Sequence, residues 1–311
     1  MPNRREACAW LLAGAVASCL PSRPSRAIQL GGISVGAISY CFRSIPRPET
    51  GDPIDALIAS YKACQLDLAE LTWADVEPLP TLPMGGRVPI PITQDYLTRR
   101  QKVREWRLAE PLARYETIGR KFREAGIRLL SYAITISDDF SDEEIDKTLQ
   151  AARAMGASMI GTNQSRMAMA EYIAPFAERH EMTLAFHNHA NVADPNELAS
   201  VPSLERVLGL SRLYRINLDV GHFVAGNNDP LAFIAAHHDR ISHLHLKDRE
   251  RDNGPNRPWG QGATPLVEIL RLVRDRGYNI PCLIEYEYAG TGNALEEVQR
   301  CADFIRRAVG A

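Results

Sequence analysis

The sequence lacks an apolar run of the ~20 residues that a membrane-spanning helix needs, which excludes a polytopic membrane protein. It also lacks an excess of positive charge: 36 Lys and Arg face 38 Asp and Glu, a net charge of −2, so we expect no nucleic-acid partner. With 45% hydrophobic and 24% charged residues, the 311-residue chain does not have the composition of a disordered, collagen-like or coiled-coil protein. This length leaves two architectures open, namely two ordinary domains or one α/β barrel with extra segments.

Cysteine is scarce, and its six positions do not have the spacing of a disulfide framework. Cys8 and Cys19 lie in an N-terminal segment that differs from the rest of the chain. We expect the other four to be buried free thiols, because they lie singly among apolar neighbours. They are Cys41, Cys64, Cys282 and Cys301. A glycine-rich phosphate-binding loop is also missing, which argues against a phosphorylated substrate.

The N-terminal segment has the layout of an export signal. An uncharged stretch at residues 7–20 follows Arg4 and Arg5, and it is too short to span a membrane. The arginine pair resembles a twin-arginine signal, and the four residues that end at Cys19 resemble a lipoprotein processing box that would lipidate this cysteine. Cleavage near residue 27 is the second way in which such a signal could end. A buried N-terminal helix in a cytosolic protein is the alternative to export.

We therefore place the export signal in residues 1–27 and the folded domain in residues 28–311. The signal contains four arginines and Glu6, so the remaining chain has 32 basic and 37 acidic side chains and a net charge of −5. We expect this mature chain in the periplasm, either free or lipid-anchored. The sequence leaves its oligomeric state open.

Past residue 30, short apolar runs alternate with longer amphipathic segments. Eight runs have the length of buried parallel strands. They are residues 33–40, 66–72, 127–134, 158–162, 183–187, 214–219, 241–246 and 282–287. Helix-start signals such as Asp52-Pro53 and the capping-box spacing of Ser141 and Glu144 lie between them. This pattern continues without a linker, and it predicts a single (β/α)8 TIM barrel in which the Pro- and Gly-rich stretch 78–93 borders the catalytic face.

Histidine, acidic and lysine residues cluster at the C-terminal ends of the last four candidate strands. The segments are His187-Asn188-His189, Asp219, His243-Leu244-His245-Leu246-Lys247 and Glu285-Tyr286-Glu287. Because strand side chains alternate, the polar members of each segment share the inward face of the barrel. A single strand histidine is more often a hydrogen-bonded core residue. A cluster at one level is costly to bury unless a cation or a polar substrate compensates its charges.

We therefore expect a metal site that takes one ligand from each of these strands. The predicted ligands are His187, Asp219, His245 and Glu285. Two imidazoles and two carboxylates suit one divalent ion such as Mn²⁺, Co²⁺, Zn²⁺ or Fe²⁺, and Mg²⁺ is less favoured because of the two imidazoles.

From about residue 33 to its end, the chain resembles the xylose isomerase-like barrels, a family described broadly as sugar phosphate isomerases and epimerases. The segments that carry the resemblance are residues 39–43, Asp219-x-x-His222, residues 245–248 and Ile284-Glu285. The resemblance implies one divalent metal on four strand-end ligands. Asp219, His245 and Glu285 match the last three of these ligands. It also implies a substrate contact for His222 and a pocket-facing acidic position for Glu70.

The first ligand position departs from the family pattern. His187 stands where relatives often carry the glutamate of a Leu-Glu-Asn-His motif. In the epimerases of the family, the two metal-bound glutamates also act as the acid–base pair, so His187 does not preserve that symmetric mechanism. The His-Asn-His version resembles an exported subgroup that is linked to the breakdown of keto sugars and glycosides.

These residues predict chemistry through a metal-stabilised enediolate on a small-molecule carbohydrate. Glu285, directly or through Glu287, is the expected base, and a histidine is the next choice. The predicted catalytic residues are Glu285, His187, Glu287 and Lys247. The predicted substrate-binding residues are Glu70, His189, His222, Tyr40, Asn163 and Trp259. Packing or helix capping is the alternative role for the last three.

The second half of the reaction stays open at this point. Return of the proton makes the enzyme a sugar isomerase or epimerase, which is the leading hypothesis. Loss of a β-leaving group makes it a sugar dehydratase or a 3-keto-glycoside lyase or hydratase. A non-catalytic sugar-binding barrel is the alternative from another class, and the surplus of acid–base groups around the predicted ligands argues against it.

Overall fold

The computed structural model describes residues 29–46, 50–77, 91–162 and 166–311. The predicted export signal, Asn163 and most of the stretch 78–93 lie outside the described residues. Within the described ranges, no helix is both long enough and apolar enough to cross a membrane.

Eight parallel strands close into a barrel, which confirms the predicted fold. They are β2 (Ile33–Ile38), β3 (Leu68–Thr72), β4 (Arg128–Ala133), β5 (Met159–Thr162), β6 (Thr183–His187), β7 (Tyr214–Asp219), β8 (Ile241–Leu246) and β9 (Cys282–Ile284). Each strand pairs with the next in the chain, and β9 pairs with β2, so that Val35 lies opposite Cys282. A two-residue strand, β1 (Gln29–Leu30), pairs antiparallel with the start of β2.

Helices follow the strands and form the outer layer. They are α1 (Pro53–Ala63), α2 (Trp73–Val76), α3 (Gln94–Ala109), α4 (Leu112–Glu124), α5 (Asp142–Met155), α6 (Met167–His180), α7 (Val201–Leu210), α8 (Val220–Ala225), α9 (Pro230–His237), α10 (Leu266–Asp275) and α11 (Ala294–Val309). The predicted cap residues begin their helices as expected. Asp52 accepts a hydrogen bond from the Ile54 N–H, and Ser141 accepts one from the Glu144 N–H.

Two strands end two or more residues earlier than predicted. The first run leaves the sheet at Ser39, where a 3₁₀ turn over Ser39–Phe42 begins, and the last leaves it after Ile284. The Cys41 thiol explains both ends, because it donates to the Ile284 carbonyl at 3.2 Å and accepts from the Tyr286 N–H at 3.1 Å. This contact replaces the ladder hydrogen bonds that would continue β2 and β9.

The apolar core lies mainly between the strands and the helices, and a smaller apolar cluster lies inside the barrel. Leu68, Leu130 and Leu283 form this inner cluster. Leu68 is two residues before Glu70, and Leu283 is two residues before Glu285, so these pairs share the inward face. The inside of the barrel is therefore apolar at its lower end and polar at the C-terminal ends of the strands.

The four predicted free thiols are confirmed. Cys41, Cys64, Cys282 and Cys301 are buried and unpaired. Burial raises the pKa of the Cys64 thiol to about 11 and that of Cys282 to about 12, so both are protonated and unreactive at neutral pH.

Candidate active site

The four side chains predicted as metal ligands meet at the C-terminal end of the barrel. Each offers one ligand atom, and these atoms all lie within 4.8 Å of one another. The residues are His187, Asp219, His245 and Glu285, and all four are buried. Strands β6 to β9 supply them in order, because each side chain lies at or just after the end of its strand.

Asn188 joins the ends of β6 and β7. Its side chain accepts a hydrogen bond from the Asp219 N–H at 2.9 Å and donates to the Asp219 carbonyl at 3.1 Å. The side chain is fully buried, so it replaces two ladder hydrogen bonds where the strands diverge. The residue between the two histidines of the His-Asn-His motif therefore fixes the backbone of a predicted ligand.

Asp219 ends β7 and begins α8. Its Oδ1 accepts a hydrogen bond from the His222 N–H at 2.6 Å, while its Oδ2 faces the Lys247 ammonium at 3.0 Å. Gly221 allows this approach, since a Cβ there would lie 2.7 Å from the Lys247 carbonyl oxygen. The helix cap thus holds one carboxylate oxygen and directs the other toward the centre of the cluster.

The Lys247 ammonium lies among three carboxylates. Its Nζ is 3.0 Å from Asp219 Oδ2, 3.2 Å from Glu285 Oε2 and 2.7 Å from Glu287 Oε2. Burial alone would lower the pKa of Lys247, but these three carboxylates hold it above its usual range. Burial likewise opposes ionisation of Glu285, yet Lys247 and His245 lower the pKa of that carboxyl to about 2.

The two ring nitrogens of His245 face different partners. Nδ1 lies 2.9 Å from Glu285 Oε2, on the side of the four-residue cluster, and Nε2 lies 3.1 Å from Glu70 Oε1. Burial lowers the pKa of His245, but Glu285 and Glu70 together raise it to about 10. Glu70 is 0% exposed and also contacts His243 Nε2 at 2.9 Å. It therefore lies beneath the cluster, without access to the space above it.

Three imidazoles lie next to one another in the site, and we call them its imidazole side; they belong to His187, His189 and His222. The rings of His187 and His189 have centroids 4.9 Å apart, and those of His189 and His222 are 4.8 Å apart. Burial, reinforced by neighbouring cationic groups, lowers the pKa of His187 and His222 well below 6.5. Both rings are therefore neutral at physiological pH.

Arg249 is a residue of the site that the sequence did not indicate. Its Nη1 lies 2.6 Å from His222 Nδ1, and its other guanidinium nitrogens donate to the Gly254 carbonyl. It follows the predicted 245–248 motif by one position. Its placement depends on the loop after β8, whose conformation no residue pattern indicates.

Two other predicted substrate residues lie within the described part of the chain, Tyr40 and Trp259. Tyr40 is half-buried, and burial raises the pKa of its hydroxyl; Glu287 and Glu285 raise it further, while Arg43 opposes them. The Arg43 guanidinium stacks 4.3 Å above its ring. Trp259 packs edge-on against Phe304 of α11, with ring centroids 5.7 Å apart.

The donor set fits a divalent cation. Asp219 Oδ2, His245 Nδ1 and Glu285 Oε2 are buried, and each contacts another of them or Lys247 as an ion pair at 2.9–3.2 Å. Two carboxylates and two imidazoles thus converge on one point, with the ammonium of Lys247 beside them. Two imidazoles and two carboxylates form the mixed nitrogen–oxygen set that suits transition-metal ions.

Fold and site together define a TIM barrel with a buried His/Asp/Glu cluster at its C-terminal face, the end at which such barrels carry their active sites. Residues 98–308 match the family described as xylose isomerase-like TIM barrel. The chain therefore belongs to this family.

Sequence relatives cover only part of the chain. The inosose dehydratase of Bacillus thuringiensis is 21% identical over 159 residues, which are 45% of this chain and 52% of that protein. The inosose dehydratase of Salmonella agona is 28% identical over 78 residues, which are 24% of this chain and 25% of that protein. The chain thus spans about half or less of the length of these relatives.

Solved structures resemble the fold over nearly the whole chain. The 3-keto-D-glucoside 4-epimerase from E. coli has a TM-score of 0.60 at 12% identity, covering 88% of this chain and 99% of the other. The probable 3-DHS dehydratase from Bacillus anthracis has a TM-score of 0.59 at 15% identity, covering 89% and 98%. At these identities the likeness establishes the fold and not the reaction.

Proposed function

We propose that the protein is a divalent-metal-dependent enzyme that removes a proton from the carbon next to the carbonyl group of a sugar or keto sugar, and that it acts as an isomerase or epimerase. The observation that carries this proposal is the convergence of two kinds of group on one buried site. Four donor atoms suit a cation, and acid–base groups that a cation does not need surround them. Those additional groups argue against a barrel that only binds sugar.

His187, Asp219, His245 and Glu285 would hold the cation. A divalent cation bound there would polarise the substrate carbonyl and the neighbouring hydroxyl, and so would make the adjacent C–H bond more acidic. Two of the four residues carry like charges that repel each other in a buried site, and a divalent cation would compensate both charges where Lys247 supplies only one.

Glu287 is the residue that we assign as the base. It lies outside the four-donor set, and its side chain is 22% exposed against 8% for Glu285, so a substrate can reach it. Its Oε2 lies 2.7 Å from Lys247 Nζ. When Glu287 accepts the proton, it loses its charge, and the Lys247 ammonium is then free to stabilise the negative charge that develops on the substrate oxygen.

The imidazole side supplies the second acid–base group. His189 is half-buried, and its ring lies next to those of His187 and His222, which are neutral. Return of the proton to the opposite face of the same carbon gives epimerisation, and its return to the neighbouring carbon gives isomerisation.

Elimination is the second candidate reaction. Glu285 and Glu287 both contact Lys247, and His187 stands where a symmetric epimerase carries its second carboxylate, so this site lacks that pair. In an elimination the C–H pair becomes a C=C bond, the neighbouring C–O bond breaks, and the leaving oxygen takes a proton from the imidazole side. The sequence relatives named inosose dehydratase and the resemblance of His187-Asn188-His189 to a keto-glycoside subgroup favour this alternative.

The test combines metal analysis with proton NMR in D₂O, using keto sugars and 3-keto-glycosides as substrates. We expect about one divalent ion per chain, and metal-dependent exchange of the hydrogen next to the carbonyl. Exchange without release of the aglycone supports an isomerase or epimerase. Release of the aglycone or of water supports elimination. A protein that binds no metal, or that exchanges no hydrogen in any of these substrates, contradicts the proposal.

Two variants separate metal binding from catalysis. His245→Ala removes a ligand and should lose the metal together with the activity. Glu287→Gln should keep the metal but lower kcat by about 10²- to 10⁴-fold, because it removes only the proposed base. Equal activity of Glu287→Gln and the wild-type protein would assign the base elsewhere.

A further inference from the structure

Glu70 and Asn217 lie in a buried layer directly beneath the cation pocket. Glu70 belongs to β3 and Asn217 to β7, and each is 0% exposed. Neither is a member of the four-residue donor set. Asn217 nevertheless contacts both of its histidines, and Glu70 contacts His245, in each case on the ring nitrogen that faces away from the carboxylate ligands.

Each histidine has one nitrogen toward the pocket and one toward this layer. For His187, Nε2 lies 3.9 Å from Asp219 Oδ2 and Nδ1 lies 3.3 Å from Asn217 Nδ2. For His245, Nδ1 lies 2.9 Å from Glu285 Oε2, and Nε2 lies 3.1 Å from Glu70 Oε1. The two rings therefore present different nitrogens, Nε2 from one and Nδ1 from the other.

A neutral imidazole binds a cation through the nitrogen that carries no hydrogen, so the hydrogen must be on the other nitrogen. A carboxylate accepts hydrogen bonds and cannot donate them, so Glu70 favours the form of His245 that carries its hydrogen on Nε2. His243 Nε2 contacts the second oxygen of Glu70 at 2.9 Å, which fixes the orientation of the carboxylate.

Asn217 can act on both rings at once. Its Nδ2 lies 3.3 Å from His187 Nδ1 and 3.1 Å from His245 Nε2, while its Oδ1 is buried and makes no hydrogen bond to any described residue. Rotation of the amide by 180° exchanges the two atoms with little change of shape. The oxygen then accepts the hydrogen on His187 Nδ1 and shares the single hydrogen on His245 Nε2 with Glu70 Oε1, and both rings keep a free nitrogen toward the pocket.

We infer that Glu70 and Asn217 are positioning residues that determine which ring nitrogen His187 and His245 present to the bound metal. This inference rests on the proposed function, because it concerns the ligands of the proposed metal. It gives Glu70 a role other than the predicted contact with substrate. Loss of a residue that hydrogen-bonds to a metal-binding histidine typically weakens metal binding by about 10- to 100-fold.

The test measures Co²⁺ binding to the metal-free full-length protein by its visible absorption, without any substrate. Glu70→Leu and Asn217→Leu should each raise the Kd for Co²⁺ by about 10- to 100-fold. Glu70→Gln keeps an acceptor oxygen and should lie closer to the wild-type protein. Ser131→Ala is the matched control, because Ser131 is equally buried and its hydroxyl contacts neither histidine. Its Kd should not change.

A second readout uses the wild-type protein alone and does not depend on whether the variants fold. Nitrogen-15 NMR of the histidine rings in the Zn²⁺-loaded protein should identify Nδ1 of His245 and Nε2 of His187 as the coordinating atoms. Coordination through His245 Nε2, or a wild-type Kd in Glu70→Leu, overturns the inference. Absence of Co²⁺ binding by the wild-type protein, or binding that His245→Ala leaves intact, instead overturns the proposed function.

Discussion

At the scale of single residues, Lys247 has two consequences for the site. Its ammonium lies 3.0 Å from Asp219 Oδ2 and 3.2 Å from Glu285 Oε2, the same oxygens that would bind a cation. In the metal-free protein it compensates the charge of these buried carboxylates, which would otherwise repel each other. A divalent cation at the same oxygens must displace the ammonium or tolerate its repulsion.

Replacement of Lys247 by methionine should therefore have opposite effects on binding and on turnover. The Kd for Co²⁺ should fall by at least about tenfold, because a like charge ~4 Å away costs several kcal/mol even at an effective dielectric constant near 20. Turnover should decrease, since the group that stabilises the developing oxyanion is lost. Isothermal titration with Co²⁺ and the D₂O exchange assay measure the two quantities.

Arg212→Met provides a surface control, since it removes a cation from the chain without touching the site; neither quantity should change. Weaker Co²⁺ binding in Lys247→Met would mean that the lysine supports the metal instead of competing with it.

The residue scale also separates what the sequence can predict from what it cannot. Alternation along each strand predicts which side chains share a face, and it correctly brings His187, Asp219, His245 and Glu285 together. Alternation carries no information on depth inside the barrel. Glu70 shares the inward face with them, but the stagger between β3 and β8 puts it one layer lower, against His245 Nε2.

At the scale of elements, a buried network of arginines and carboxylates attaches α3 to the barrel. Arg107 binds Glu77 with two nitrogens, Nε at 2.7 Å and Nη2 at 3.1 Å, and its Nη1 lies 2.8 Å from Glu144. Arg100 Nη2 lies 2.6 Å from the other oxygen of Glu144. Both glutamates are buried, so their charges depend on these arginines.

Arg107→Met should lower the free energy of unfolding by about 3–5 kcal/mol, because it leaves Glu77 buried without the arginine that pairs with it, while Glu144 keeps Arg100. Arg99→Ala on the same helix is the matched control. Arg99 is 51% exposed and, within the described residues, forms an ion pair with Asp95 one turn earlier, so its loss should cost less than ~1 kcal/mol. Urea unfolding of both variants at neutral pH measures the difference, and similar losses would show that the buried network adds no stability.

The same network explains a partly correct prediction about α5. The spacing of Ser141 and Glu144 predicts a reciprocal capping box, and the structure has the first half of it, the hydrogen bond from the Glu144 N–H to Ser141. The Glu144 carboxylate binds Arg100 and Arg107 instead of completing the box. A local pattern cannot reveal these partners, which come from α3, about 40 residues earlier in the chain.

At the scale of the whole molecule, the barrel follows directly from the alternation of strands and helices. Each unit needs a neighbour on both sides to bury its strand, and the pairing of β9 with β2 removes the two free edges. This is why the fold could be predicted without a resemblance to any relative. The reaction could not, because isomerisation, epimerisation and elimination begin with the same proton removal and use the same groups for it.

The many buried ionised groups make the stability of the metal-free protein depend on pH in two windows. Burial disfavours ionisation of Glu70, Glu144 and Glu285, but neighbouring cationic groups lower the pKa of each carboxyl below its ordinary 4.5, and that of Glu285 to about 2. The pKa of His245 changes in the opposite direction, from its ordinary 6.5 to about 10. The stability that the carboxylates contribute is present above pH 4.5 and is lost as the pH falls through their folded-state values. The contribution of His245 is present below pH 6.5 and is lost as the pH rises toward 10.

Metal-free protein should therefore be most stable at about pH 6.5 to 7, because below this range the unfolded chain also protonates His187 and His222, whose pKa values are lowered in the folded protein. Each extra proton bound by the unfolded chain should steepen the acid side by ~1.4 kcal/mol per pH unit. Urea unfolding at about pH 3, 4, 5.5, 6.5, 8 and 9.5 in the presence of a chelator measures the profile. Glu144→Gln should reduce the slope of the free energy of unfolding against pH on the acid side by up to ~1.4 kcal/mol per pH unit, because a glutamine side chain binds no proton. Glu143→Gln, on the exposed side of the same helical turn, is the matched control. A free energy of unfolding that stays level from pH 5.5 to 3 would mean that the buried carboxylates do not keep their charge in the folded protein.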